Sequence, residues 1–121
     1  MTESGTMMSK SKQKGTSAET AVVNYLKDKW KIPAERRALT GALDKGDISG
    51  IFDVVLEVKN HKTMTLGQWM EELKVEVENA NAETGAVIHK RKGTTDVSEW
   101  YASMPFWMYL YLLKDAGYID G

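Results

Sequence analysis

Apolar residues recur along this chain with two different periods, and the switches between them lay out its elements. From about Ser17 to Trp30, Val22, Val23, Leu26 and Trp30 return at three- and four-residue intervals, predicting an amphipathic helix ended by Pro33. Residues Glu35 to Leu39 predict a strand. A turn through Gly41 to Gly46 then leads to a short strand at Asp47 and a longer one over Val54 to Lys59. Helical spacing resumes where Leu66, Trp69, Met70, Leu73, Val77 and Ala80 share one face, a helix expected to run to about Ala82 and to be stopped by Gly85. Strands over Ala86 to Lys90 and Val97 to Met104 follow, the second with Trp100, Ala102 and Met104 on a common face, and Pro105 opens a last helix. The order is helix, three strands, helix, strand, then a strand and helix appended: an α/β arrangement. Residues 1 to about 15, polar and without apolar period, are expected to form a mobile tail, leaving 16–121 as one domain.

The strand over Val54 to Lys59 carries the first chemical signal. Side chains alternate along a strand, so Glu57 and Lys59 project from one face while Val54, Leu56 and Val58 fill the other. One face is expected to be dry and the other free for chemistry. Asp47, joined to that strand through the turn-prone Ser49-Gly50, brings a second carboxylate beside Glu57. Asp44 reads as a turn residue, whereas Asp53 shares the parity of Glu57 and is a rival ligand. Glu19 ends Thr16-Ser17-Ala18-Glu19, which fits a capping box. At 100° per residue it also falls within roughly 60° of Val22, Val23, Leu26 and Trp30. An inward carboxylate needs a partner, and a metal or a lysine at the sheet edge would supply one. Gln68, fourth in Thr65-Leu66-Gly67-Gln68, is expected to cap its own helix.

Composition narrows the metal. The chain has no cysteine and only two histidines, His61 and His89, which makes zinc a poor guess and oxygen-held Mg²⁺ or Mn²⁺ the better one. Sixteen basic residues against seventeen acidic ones leave a net charge of −1, but the charges are segregated. Glu71, Glu72, Glu76, Glu78 and Glu83 sit in one stretch with Lys74 as its sole cation. Elsewhere stand Arg36-Arg37, Lys59 with His61-Lys62, His89-Lys90-Arg91-Lys92 and the early lysines Lys10, Lys12 and Lys14. Local field, not net charge, sets phosphate attraction, so DNA remains an admissible partner. No apolar run reaches membrane-spanning length and no secretory signal opens the chain, so a cytoplasmic protein without a membrane partner is expected.

Over about Lys14 to Tyr111 these residues resemble the PD-(D/E)XK nuclease superfamily, and within it small phage and actinobacterial endonucleases similar to Holliday-junction resolvases. The resemblance rests on Lys14-Gly15 and Glu19, Gly46-Asp47-Ile48-x-Gly50, Glu57-Val58-Lys59-Asn60-His61-Lys62, Gln68-Trp69 and His89-Lys90-Arg91. It implies a restriction-endonuclease-like mixed β-sheet flanked by helices, an αβββαβ core with a C-terminal strand and helix. It also implies Mg²⁺-dependent hydrolysis of a DNA phosphodiester. Asp47, Glu57, the carbonyl of Val58 and Glu19 would then be the metal ligands, with Lys59 placing or activating the attacking water. DNA, most naturally a four-way junction, would be held by Lys14, Arg36, Arg37, His61, Lys62, Gln68, His89, Lys90 and Arg91. Gly46 stands where the superfamily name has proline. Nicking or restriction-like cutting, and a non-catalytic DNA-binding protein that keeps the nuclease fold, are the alternatives; a purely structural partner protein built on the aromatic C-terminus is a third. Finally, Phe106 to Leu113 is apolar or aromatic around the whole helix, which predicts a homodimer through that helix.

Overall fold

The computed structural model describes residues 9–38, 41 and 43–121. Its elements are α1 (Lys10–Trp30), β1 (Glu35–Arg36), β2 (Ile48–Ser49), β3 (Val54–Lys59), α2 (Leu66–Asn79), β4 (Thr84–His89), a 3₁₀ turn (Val97–Glu99), β5 (Tyr101–Ser103) and α3 (Phe106–Asp115). The strands form one mixed sheet in the order β1-β2-β3-β4-β5. Only the β3–β4 pair is parallel. A parallel pair needs a crossover, and α2 supplies it. Both central strands therefore end at the same edge, after Lys59 and His89.

Each face of the sheet packs against helix. On one, Leu56, Val58, Ile48 and Ala86 meet Ala18, Val22 and Val23 of α1. On the other, Val55 and Val87 meet Trp69, Leu73 and Val77 of α2 and Met108 of α3. The expected division of β3 into a dry and an open face is corrected accordingly. Glu57 and Lys59 share the side of Val55, and α2 covers that side.

Several boundaries move. Helix α1 starts at Lys10, seven residues before the expected Ser17, because the Ser9 side chain accepts the Lys12 N–H at 3.1 Å and caps it there. Residues 10–15 are thus helix rather than tail, while residues 1–8 lie outside the described residues. Glu19 is consequently mid-helix and caps nothing. Lys31, in the left-handed region at φ 57°, ends α1 before Pro33. The first strand is only two residues long, and Leu39, its expected end, lies outside the described residues. Helix α2 stops at Asn79, well before Gly85, which sits inside β4. A Cβ at Gly85 would meet the Val55 carbonyl at 2.7 Å, so the glycine permits the close β3–β4 approach beneath Leu73. The strand expected over Val97 to Met104 is broken by the 3₁₀ turn and reduced to three residues.

Candidate metal centre and nucleic-acid interface

Sheet register assembles the acidic side chains. Ile48 pairs antiparallel with Leu56, and Asp47, just before β2, lies at the end of that pairing, near enough to Glu57 for each carboxylate to act on the other. The Asp47 N–H donates to the Leu56 carbonyl at 2.9 Å, and the Val58 N–H donates to Asp47 Oδ2 at 2.8 Å. Gly46 makes the approach possible. Its φ is +99°, and a Cβ there would lie 2.7 Å from Val55 Cγ1, so neither proline, locked at a negative φ, nor a larger residue fits. Glycine is thus a geometric requirement of this turn.

Two further carboxylates join: Glu76, which the sequence pattern did not single out, and Asp44, which it offered as a turn residue. Glu76 projects from α2 and is 4% exposed, and Asp44 lies in the loop before β2. Oxygens of Asp44, Glu57 and Glu76 all fall within 4.8 Å of one another. Asp44 does serve a turn, its Oδ1 accepting the Gly46 N–H at 2.9 Å. Its carbonyl is also held by the Asn79 side-chain amide of α2 at 2.9 Å. One helix therefore supplies Glu76 and fastens the loop that presents Asp44.

The electrostatics of this cluster are unbalanced. Glu57 Oε1 and Glu76 Oε1 are buried and receive no hydrogen bond from any N–H or hydroxyl. Burial, then the carboxylates of Asp47 and Glu76, push the Glu57 pKa up to about 10. Burial chiefly raises Glu76, to about 7, with Asp44 and Asp47 adding to it. Asp47 is also raised, first by burial, against the lowering effect of the Val58 N–H. Without a cation these groups must share protons.

Lys59 is the nearest cation, 3.6 Å from Glu57 Oε2 and 3.0 Å from Glu72 Oε1. Gln68 donates to Glu72 Oε2 at 3.1 Å, so it braces the lysine's partner and does not cap α2, whose Thr65 cap makes no side-chain bond. Burial works to lower the Lys59 pKa, but the bond to Glu72 and the charge of Glu57 outweigh it and hold the pKa above its ordinary value. The ammonium stays charged.

Other candidates fall elsewhere. Glu19 pairs with Arg36 at 3.0 Å, close enough to Asp47 to raise its pKa but outside the Asp44–Glu57–Glu76 group. The rivalry of Asp53 ends with the structure. It sits at the start of β3 with φ +65°, exposed, and its Oδ1 accepts the Glu83 N–H. Arg37 lines a cavity of about 230 Å³ with Asp44 and Asp47, a solvent route to the cluster.

Beyond Lys59 the charge reverses. A groove of about 720 Å³ runs between the start of α1 and the loops after β3 and β4, with Lys10, Lys14, Lys62, Lys90 and Lys92 along it. A second cavity of about 300 Å³ shares His61, Lys62, Lys90 and Lys92 with it and adds Lys59 and Arg91. No carboxylate lines either. His89 is not the expected surface contact. It is 5% exposed, its Nε2 is 2.7 Å from Ser103 Oγ, and its ring packs against Trp69 and Tyr101. Burial lowers its pKa, so it carries no charge at neutral pH. Arg91 reaches Glu99 at 3.4 Å, and Lys90 lies over the Trp100 ring.

Comparison of the chain with known protein families, with curated proteins and with solved structures finds no match. Among the described residues no helix is long and apolar enough to cross a membrane.

Proposed function

We propose that this protein is a divalent-metal-dependent DNA endonuclease of the PD-(D/E)XK kind. The observation that carries the reading is the pair of buried oxygens on Glu57 and Glu76 that receive no N–H or hydroxyl bond, set among carboxylates, with Lys59 beside Glu57 and lining a carboxylate-free basic cavity. Burying unpaired negative charge is costly, and an all-oxygen donor set matches Mg²⁺ or Mn²⁺. Asp44, Glu57 and Glu76 would hold the ion, with Asp47 beside them through Glu57. Bound there, the ion would supply Lewis-acid polarisation of a phosphate oxygen and would make a nearby water more acidic.

The chain's own residues do the rest. Lys59, kept protonated by Glu72 and Glu57, orients the attacking water and offsets charge on the phosphate as the bond breaks; it is a cation rather than a general base. Gln68 and Glu72 fix where its ammonium points. Lysines of the groove hold the neighbouring phosphates and set register without reading sequence. The restriction-endonuclease-like fold and the preference for a four-way junction follow the resemblance of the motifs; the five-stranded mixed sheet with its three helices is an α/β fold.

Cleavage of labelled junction, flap, duplex and single-stranded DNA with Mg²⁺ and with Mn²⁺ tests the proposal. Metal-dependent products that disappear in Glu57→Gln support it. DNA binding with no cleavage under either metal replaces it with the non-catalytic DNA-binding reading.

Assembly completes the proposal. Of the residues of α3 only Met108 is fully buried, while Phe106, Trp107, Tyr109 and Tyr111 are exposed. A second copy packed on that face would bury them and present two metal sites in a two-fold relation, as paired incision of a junction requires. Light scattering at micromolar concentration is expected to give a dimer that Phe106→Glu dissociates; a monomeric parent protein shifts the expected activity to nicking.

A further inference from the structure

The cavity of about 300 Å³ beside Lys59 has a feature that phosphate binding does not require: its floor and walls are aromatic. Lys59, His89 and Tyr101 occupy one row across β3, β4 and β5, because Lys59 pairs with His89 and His89 with Tyr101. Over this row α2 lays Trp69, and the loop after β3 adds His61. The rings form an unbroken chain, His61 to Trp69 at 5.7 Å, Trp69 to His89 at 5.4 Å and His89 to Tyr101 at 5.4 Å. The inner two rings are buried and the outer two are open, with Tyr101 47% exposed. Hydrogen bonding to Ser103 fixes the plane of His89 and hence the seat of Tyr101.

Every charged residue lining this cavity is a cation. Exposed rings beneath a wholly cationic rim are the two elements of single-strand recognition, stacking and backbone neutralisation. Its volume, about 300 Å³, lies at the low end of the about 300–1,000 Å³ of small-molecule pockets, room for one flat ring system. A base inside a duplex has both faces covered and cannot enter.

We infer that this cavity receives one unpaired nucleobase of the DNA strand, stacked against Tyr101 and His61, with its flanking phosphates on the lysines. The inference rests on the nuclease reading and deepens it: with Lys59 in the wall, the unpaired base lies next to the bond to be cut, and single-stranded or branched DNA becomes the preferred substrate over continuous duplex.

The test uses the full chain in EDTA, where cleavage plays no part. 2-Aminopurine is placed in a single strand, in a one-nucleotide bulge and in a fully paired duplex. Quenching on binding is expected for the strand and the bulge and absent for the duplex. Tyr101→Ala and His61→Ala should each lose the quenching and weaken single-strand affinity about tenfold, as base–aromatic stacking does. Tyr101→Phe should keep both. Lys62→Ala is expected to weaken duplex and single strand alike, which marks a phosphate contact. Equal quenching in the paired duplex, or full quenching in both alanine variants, overturns the inference. A protein that quenches as expected but never cleaves with Mg²⁺ or Mn²⁺ loses the nuclease reading and keeps the base pocket, whereas one that cleaves without selective quenching does the reverse.

Discussion

Two regions on either side of Lys59 carry charge in opposite ways. At the acidic end three carboxylates converge within 4.8 Å, and two of them, Glu57 and Glu76, are buried and each leaves one oxygen without a donor. At the basic end the lysines line an open groove and are spread over α1 and two loops. Water stabilises the second arrangement almost for free, while the first is tolerable only with protons or a cation. The acidic end should therefore respond sharply to single substitutions, pH and metal. The basic end should respond gradually, to ionic strength and to the number of lysines left.

The sharpest test removes a charge from the acidic end without changing shape. Glu57→Gln and Glu76→Gln should each reduce metal-dependent cleavage by about a hundredfold or more, the scale of losing a group that stabilises transition-state charge. DNA affinity in EDTA should be unchanged or improved. Asp53→Asn, at the far end of β3, should leave the cleavage rate within about twofold, since surface substitutions away from such sites have small effects. An Asp53 variant that lost activity, or a Glu76 variant that kept it, would move the metal centre.

Next in size is the residue between the two regions. Lys59→Ala should lower the cleavage rate about a hundredfold, with affinity for DNA reduced no more than a few-fold, because the groove lysines make most phosphate contacts. Glu72→Gln should produce a weaker version of the same defect, since it frees the ammonium without removing it. Single-turnover rates at saturating DNA separate the two effects. A Lys59 variant that binds poorly but cleaves normally once bound would make the lysine part of the groove.

How much of this was legible in the sequence differs between the same two regions. Element order follows from local periodicity, as does the inward face of α1 at Val22 and Val23, though not at Trp30, which is 63% exposed, and the basic loops announce themselves as runs. Glu76 and Glu72 did not, because five glutamates in one stretch look like a solvated helix face. The signal was present: Glu76 is seven residues after Trp69, about 20° short of two full turns, so it lies in the apolar stripe. The same arithmetic that turned Glu19 inward applies to it. Asp44 was hidden for another reason, since only the tertiary bond from Asn79 brings its loop to α2. His89 was misjudged because a β-strand end next to Lys90-Arg91 suggests solvent, whereas α2 lays Trp69 over it. The start of α1 was missed because residues 10–16 have no apolar period to announce a helix that a capping serine and continuity with Val22 sustain.

Stability against pH sharpens the contrast further. The pKa values of Glu57 and Glu76 are raised in the folded protein above the ordinary 4.5, to about 10 and about 7. The folded state then binds more protons than the unfolded state above pH 4.5, so stability falls as pH rises. The contribution is fully present below about pH 4.5 and is lost through about pH 7 for Glu76, and towards about pH 10 for Glu57. Metal-free protein should melt several degrees lower at pH 8 than at pH 5.5, measured in EDTA by circular dichroism. Mg²⁺ should raise the melting temperature at pH 8 and do little at pH 5.5, where protons compete for the same oxygens. Glu76→Gln should flatten the slope. A metal-free melting temperature that rises across this interval would remove the buried acidic cluster as a source of instability.

The smallest effects belong to the groove. Lys62→Ala and Lys90→Ala, both in residues shared by its two cavities, should each weaken DNA binding only a few-fold at physiological salt. The informative quantity is the salt slope, because each phosphate contact releases condensed counterions. Removing one should make the slope of log affinity against log salt shallower by about one for duplex and slightly less for single strands. Lys45, which lines the cavity of about 230 Å³ between Asp44 and Asp47, should leave that slope unchanged when replaced by alanine, since the adjacent carboxylates repel the backbone it would contact. Arg91→Ala should fall between the two, its guanidinium being divided between the groove and Glu99. Equal slopes for the Lys45 and Lys62 variants would mean that DNA follows the net charge of the molecule and not the channel, and the division of labour across Lys59 would be lost.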